Sequence, residues 1–356
     1  MSDLALLEES ADRFFADTFG PAVAGDGLDP AGLARIWPEI DAMGFPLAAV
    51  PEELGGAGMT RADASVVARI AAAHLAPVPL AETMLAAWLL ADAGATPVGG
   101  IATVEAGLEG PSLELTAAGE GYAASGILRD VPWGREAQTL VAVARLGEAA
   151  ALVRLSAADL GWQDRANIAA EPRASVTLAA QALSRDAVLP LPEGYDARRP
   201  ALMLAALRAT QLAGAMQRVL ALAIDYANTR VQFGRPIGRF QAVQYLLSEA
   251  AGHVAAASAA ADGAASHLDD PDTDALELAT AAAKSRAGEA ATRVAAIAHQ
   301  VFGAIGFTRE HELHLATRRM WAWREEAGDE VFWNERLGAI ARGAGGVRLW
   351  ERLTAL

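Results

Sequence analysis

Apolar residues recur every three to four positions through 4–15 and again through 33–43, with Asp and Glu between them. This spacing predicts two amphipathic helices. Gly44-Phe45-Pro46 breaks the pattern, and the glycine-rich stretch 50–58 follows as a loop. It lacks the Lys-Ser/Thr ending of a phosphate cradle, and no strand is predicted before it. Residues 60–75, opened by a small polar cap, predict a third helix, and 80–93 a fourth beyond the breaker Ala76-Pro77-Val78-Pro79. From about 101 to 195 the pattern shortens to alternating, Val- and Leu-rich runs at 112–115, 121–126, 139–143, 151–155 and 175–178. Turns rich in Gly, Pro and Asp separate them, which predicts an antiparallel β domain of about 95 residues. Beyond about 198 long helical patterns return, near 200–229, 239–268, 274–301 and 309–325, with another from about 330. Asp269-Asp270-Pro271-Asp272 marks a turn, and Asp274 with Glu277 is expected to cap the helix after it. The expected architecture is mainly α with a central β domain: N-terminal helices over 1–100, a middle β domain over 101–197 and a C-terminal helix bundle over 198–356.

A chain of 356 residues fits two or three domains and buries a core without staples. It has no cysteine, which excludes thiol nucleophiles, redox pairs and thiolate zinc sites. A net charge of −15 argues against a broad nucleic-acid surface, because it repels phosphate. Lys284 is the only lysine, so 28 of the 29 basic side chains are Arg; with the abundance of Ala and Gly, this is a bias of composition. The N-terminus is acidic and amphipathic, without the basic start and apolar run of a signal peptide. The longest apolar region, 201–224, is interrupted by Arg208, Gln211, Gln217 and Arg218, whereas a spanning helix needs about 20 mostly apolar residues. A soluble, cytoplasmic protein with no membrane partner is therefore expected.

Chemistry concentrates in 226–244, a polar, glycine-punctuated stretch between two very apolar helices. Arg230, Arg235 and Arg239 crowd a loop just before a helix, and both Arg side chains and helix N-termini attract phosphate. The same residues also suit a solvated helix connection. His311-Glu312-Leu313-His314 spaces its histidines by three rather than four and has no evident third ligand, so no metal site is expected. Trp321, Trp323, Trp333 and Trp350 are expected to pack a bundle or intersubunit surface.

Three blocks together carry a family resemblance. Arg230-x-Gln232-Phe233-Gly234-x-Pro236-Ile237-x-x-Phe240-Gln241-x-x-Gln244 resembles the signature of the acyl-CoA dehydrogenases. Gln300-Val301-Phe302-Gly303-Ala304-Ile305-Gly306-Phe307-Thr308 resembles a second family segment, with Ala304 where relatives carry a second Gly. Met43-Gly44-Phe45 and the stretch 50–58 supply the third. The resemblance covers essentially the whole chain. It implies an N-terminal helical domain, a barrel-like antiparallel middle domain and a C-terminal four-helix bundle. It also implies FAD held across a subunit interface, with acyl-CoA as substrate and an electron-transfer flavoprotein as electron acceptor. The assembly would be a homodimer, a homotetramer or a heteromer with a related subunit.

By that resemblance Arg230 neutralises the FAD pyrophosphate, with Gln232 and Phe233 beside the cofactor and Phe240 and Gln241 at the following helix start. Gln300 and Gly303 would approach the adenine half. The reaction needs a carboxylate of raised pKa to take a thioester α-proton, and counting from Gln300 places Glu326 at or next to that position. The alternative is that Glu325, Glu326, Asp329 and Glu330 form an exposed acidic helix junction. Some relatives carry the base at the start of the first C-terminal helix, but 200–210 contains no carboxylate. The β domain departs from the family: Thr103-Val104-Glu105-Ala106-Gly107 and Arg129-Asp130-Val131-Pro132-Trp133 stand where flavin-touching motifs usually lie. The expected activity is FAD-dependent oxidation of an acyl-CoA to the trans-2-enoyl-CoA. The alternatives are a non-catalytic or half-competent partner in a heteromeric dehydrogenase and, more distantly, a flavin monooxygenase of the same fold.

Overall fold

The computed structural model describes residues 2–19, 30–97 and 99–345, with residues 348, 350, 351 and 354 beyond them. The remaining positions of the expected first and last domains lie outside the described residues. Four helices come first: α1 (Asp3–Thr18), α2 (Pro30–Ala42), α3 (Arg61–Ala73) and α4 (Leu80–Asp92). Ser2 caps α1 by accepting from the Ala5 amide at 3.3 Å, and Thr60 caps α3 by accepting from Asp63 at 3.1 Å. Helix α2 buries Leu33, Ile36, Trp37 and Ile40, one stripe at helical spacing. Phe14, Phe15 and Phe45 meet edge-on or stacked and join α1 to the short turn after α2. The 50–58 stretch is a loop closed by its own backbone, with Gly58 donating to Val50 at 2.9 Å and Met59 to Ala48 at 3.0 Å. Helix α4 is buried nearly all round, including Glu82.

Eight strands follow: β1 (Ala102–Glu105), β2 (Leu113–Ala118), β3 (Gly121–Pro132), β4 (Thr139–Leu146), β5 (Ala149–Ser156), β6 (Gln163–Ala166), β7 (Pro172–Leu183) and β8 (Val188–Pro190). Their order is β6-β7-β3-β2-β4-β5-β8, with β1 beside β4. Most pairings are antiparallel, as the alternating pattern implied. The pairs β1–β4 and β2–β4 are parallel instead. That geometry needs long connections, which the β1–β4 and β2–β4 crossovers supply.

The last helices are α5 (Arg199–Thr229), α6 (Gln241–Ser266), α7 (Thr273–Phe302), α8 (Leu313–Glu325) and α9 (Glu330–Ala344). Helices α5, α6 and α7 pack against one another, and α3 packs on α5. At Gly214 a Cβ would lie 2.1 Å from the Arg69 carbonyl oxygen, so only glycine allows that crossing. The cap of α7 is Asp272, which accepts from Asp274 at 2.9 Å and Ala275 at 3.3 Å, rather than the expected Asp274–Glu277 pair. Those two carboxylates instead accept from Arg198, at 3.0 and 2.6 Å. Trp323 and Trp333 are core residues, whereas Trp350 is exposed. Among the described residues no helix is long and apolar enough to cross a membrane.

Candidate functional site: an exposed bundle end and an ion-paired cleft

Helices α5 and α7 end side by side, because Tyr226 stacks on Phe302 with ring centroids 4.2 Å apart. This contact gathers Arg230, Gln232, Phe233, Phe240, Gln241, Gln300 and Gly303 at one end of the bundle. Just past α5 the chain makes a tight hairpin, with Val231 opposite Pro236 and Gln232 opposite Arg235. Its tip, Phe233-Gly234, has positive φ at both residues (+50° and +78°), the combination a two-residue reversal of this hand requires. A non-glycine residue held there is strained, and the Phe233 ring stands in solvent, 92% exposed. Phe240 meets Phe233 edge-on, and the Arg235 guanidinium lies 4.2 Å from the Phe240 ring centroid. Arg230, Gln232, Gln241, Gln300 and Gly303 are all exposed. Among the described residues Arg230 forms no ion pair. At Gly303 (φ +64°) a Cβ would meet nothing within 4 Å. This end therefore offers a free guanidinium, three amides, two aromatic rings and a bare backbone. That donor set suits a flat, anionic ligand.

Glu326 lies elsewhere. Lys284 of α7 touches the Glu326 backbone, and Lys284 and Phe302 are 18 positions apart on that helix, about 27 Å. Glu326 follows the last turn of α8 and lines a cleft of about 540 Å³ with Asp130, Arg165, Asn167, Ile168, Arg173, Trp321 and Glu325. Its Oε1 accepts from Asn167 Nδ2 and Arg173 Nε, both at 3.0 Å, and also from Arg173 Nη2. Its Oε2 lies 3.0 Å from Arg208 Nε but out of hydrogen-bond alignment, so that contact is coulombic. Burial by itself raises the pKa of this carboxyl; the Arg173 and Arg208 charges outweigh burial and hold it below the ordinary value. Arg208 in turn donates to Glu82 of α4 and Gln211 of its own helix. Glu171 accepts from Arg173 and Arg319, each at 3.3 Å, and from Trp323 Nε1 at 3.0 Å. The expected exposed acidic junction is thus divided. Glu325 is exposed, Glu330 pairs with Arg324, and Glu326 enters a charge cluster spanning three parts of the chain.

Of the β-domain positions that resemblance places near a flavin, Arg129 and Asp130 are exposed, with Asp130 lining the cleft, whereas others are engaged internally. Thr103 Oγ1 donates to the Pro132 carbonyl, Ser112 donates to Glu105 at 2.7 Å, and Trp133 is buried. Burial pushes the Glu105 pKa up, only partly offset by Ser112. The residues missed from sequence are Glu82, Asn167, Glu171, Arg173, Arg208 and Lys284. A signal was available for three of them: Glu82, Arg208 and Lys284 each interrupt an apolar helix, and a charge in such a setting is buried only when paired.

A helical–sheet–helical chain with this exposed loop at the bundle end has the fold of the acyl-CoA dehydrogenases. Residues 2–96 match the acyl-CoA dehydrogenase N-terminal domain and residues 196–341 the C-terminal domain. The chain is 31% identical to the acyl-CoA dehydrogenase IpdE2 of Mycobacterium tuberculosis over 318 residues, covering 88% of this chain and 89% of that protein. In structure it is similar to a chain of the ChsE4-ChsE5 complex from the same organism, with a TM-score of 0.85, 24% identity, and 95% and 97% of the two chains covered. A variant of the Tcur3481-Tcur3483 steroid ACAD also gives a TM-score of 0.85 and 24% identity, covering 97% and 99%. The chain belongs to the acyl-CoA dehydrogenase family and is an oxidoreductase of that type.

Proposed function

We propose that the chain works in FAD-dependent α,β-dehydrogenation of a bulky acyl-CoA thioester, as one subunit of a two-chain enzyme. The product would be the trans-2-enoyl-CoA, and the electrons would pass to an electron-transfer flavoprotein. The observation that carries the two-chain reading is the state of Glu326. A base for a weakly acidic α-proton needs a raised pKa in a dry pocket, whereas this carboxylate is already neutralised by Arg173 and Arg208. The bundle end, by contrast, leaves Arg230, Gln232, Phe233, Gln241 and Gln300 exposed. The bound flavin would supply the hydride acceptor. Toward it, Arg230 would offset pyrophosphate charge, Phe233 and Phe240 would shield one side from water, and Gln232, Gln241 and Gln300 would orient it beside the bare Gly303 backbone. The similar folds of the ChsE4-ChsE5 complex and the Tcur3481-Tcur3483 steroid ACAD support a heteromer and a large acyl group.

A second reading keeps Glu326 as the base. Its Oε2 has no aligned donor and the residue borders the 540 Å³ cleft, although that oxygen is itself buried against Arg208. Purification of the chain alone and with a co-expressed related subunit separates the two. The proposal expects a colourless chain alone, and a yellow, active complex in which Glu326→Gln retains most of the activity. A fall of about a hundredfold or more in that variant, the loss typical of a missing general base, would return the role to Glu326.

A further inference from the structure

We propose that Lys284 is a positioning residue: its ammonium fixes the chain reversal after α8 and so sets the cleft wall that carries Trp321, Glu325 and Glu326. Lys284 is 1% exposed, and its Nζ donates to the carbonyl oxygens of Trp323 at 3.0 Å, Arg324 at 3.1 Å and Glu326 at 2.7 Å. These carbonyls lie at and just past the end of a helix, where the last backbone acceptors have no partner within the helix and the dipole favours a cation. Three acceptors converging on one point match the three hydrogens of an ammonium. A guanidinium is planar and wider, and spreads its donors over a fork. A chain that uses Arg at 28 of 29 basic positions thus has its one lysine where the geometry is tetrahedral.

The turn beyond is equally constrained. Ala327 has φ +52° and Gly328 φ +87°, and Trp333 Nε1 donates to both of their carbonyls, at 3.0 and 3.2 Å. Lys284 and Trp333 therefore hold five of the six carbonyls from Trp323 to Gly328. The charged groups facing the ammonium are Arg208 from α5, Glu325 and Glu326 at the end of α8, and Glu330 at the start of α9. Burial, then Arg208, draws the Lys284 pKa down to about 7 against the pull of those three carboxylates. Above neutrality the amine loses one of its three donor hydrogens.

The link from this turn to catalysis rests on the cleft belonging to the substrate site; the hold on the turn stands without it. The test is hydrogen exchange at the amides of residues 324–329, in wild type and in Lys284→Met and Lys284→Arg, with the amides of β5 as internal reference. Both variants are expected to exchange there at least about tenfold faster with β5 unchanged. Wild-type protection, corrected for intrinsic rates, should rise with pH above 7, because an opening that frees Lys284 takes up a proton. In the assembled enzyme the same variants should raise KM for the acyl-CoA more than they lower kcat. Unchanged exchange in both variants overturns the assignment, and if they fail to fold, a flat wild-type pH profile does so. Faster exchange with unchanged KM overturns the link to the cleft while leaving the two-chain reading untouched.

Discussion

Two opposing pressures meet at Glu326, since burial favours its neutral form and two guanidiniums favour its charged form. The guanidiniums win, so its folded pKa lies below the ordinary 4.5. A carboxyl of this kind contributes stability that is fully present above its unfolded pKa and is lost as pH falls through the folded value. Urea unfolding of Glu326→Gln should therefore depend less on pH below about 5 than that of the wild type. Lys284 behaves in the opposite sense. Its folded pKa of about 7 lies below the ordinary 10.5, so between those values the folded chain binds fewer protons than the unfolded one. Stability should rise with pH across that window, and Lys284→Met should flatten the rise. Arg208, 2% exposed and set between Glu82 and Glu326, is more costly to remove than either. Arg208→Met leaves the buried Glu82 without its charge partner and Glu326 with Arg173 alone, and should destabilise the chain by about 3–5 kcal/mol in denaturant titrations.

At the level of elements, the junction of α8 and α9 depends on its backbone more than on its charges. A Cβ at Gly328 would lie 2.7 Å from Trp333 Nε1 and 2.8 Å from the Phe332 ring, at a φ of +87°. Gly328→Ala should cost about 2 kcal/mol and loosen the cleft wall, measured as a shift in the urea midpoint at unchanged slope. Asp272→Ala should cost about 1 kcal/mol by the same measurement, since it removes the cap of α7. Long helices were legible in the sequence because burial of one face imposes a period of 3.6, and α1 to α9 appear close to where that period put them. Strands β1, β6 and β8 were not, being only three or four residues long and, for β6, exposed throughout. The outward-facing loop from Arg230 to Gln241 was legible because its chemistry is local. The surroundings of Glu326 were not: Arg173 is 153 positions away and Asn167 is 159, and no local pattern announces a contact made only when the sheet meets α8.

Across the whole molecule, one buried set of charges ties the three segments together. Glu82 comes from the first helices, Glu171 and Arg173 from the sheet, and Arg208, Arg319 and Glu326 from the last helices. The segments are therefore expected to unfold in one transition, which coincident fluorescence and circular-dichroism curves would check. The opposite holds at the bundle end, where Arg230 and Phe233 contribute little to the fold of their own chain. Replacing them together, Arg230→Glu with Phe233→Asp, should leave the isolated chain's stability within about 0.5 kcal/mol. The same change should abolish association with a partner subunit and the flavin colour of the complex, by sedimentation and absorbance.

The single lysine has one more consequence. A protease that cleaves only after lysine has one bond to attack in this chain, between Lys284 and Ser285, and it lies in the interior of α7 with the lysine side chain wholly enclosed. Cleavage there requires α7 to come apart, so the native protein should resist such a protease and the unfolded protein should yield two fragments of 284 and 72 residues. The rate at which those fragments appear gives a direct count of molecules that have opened, with no probe added to the chain.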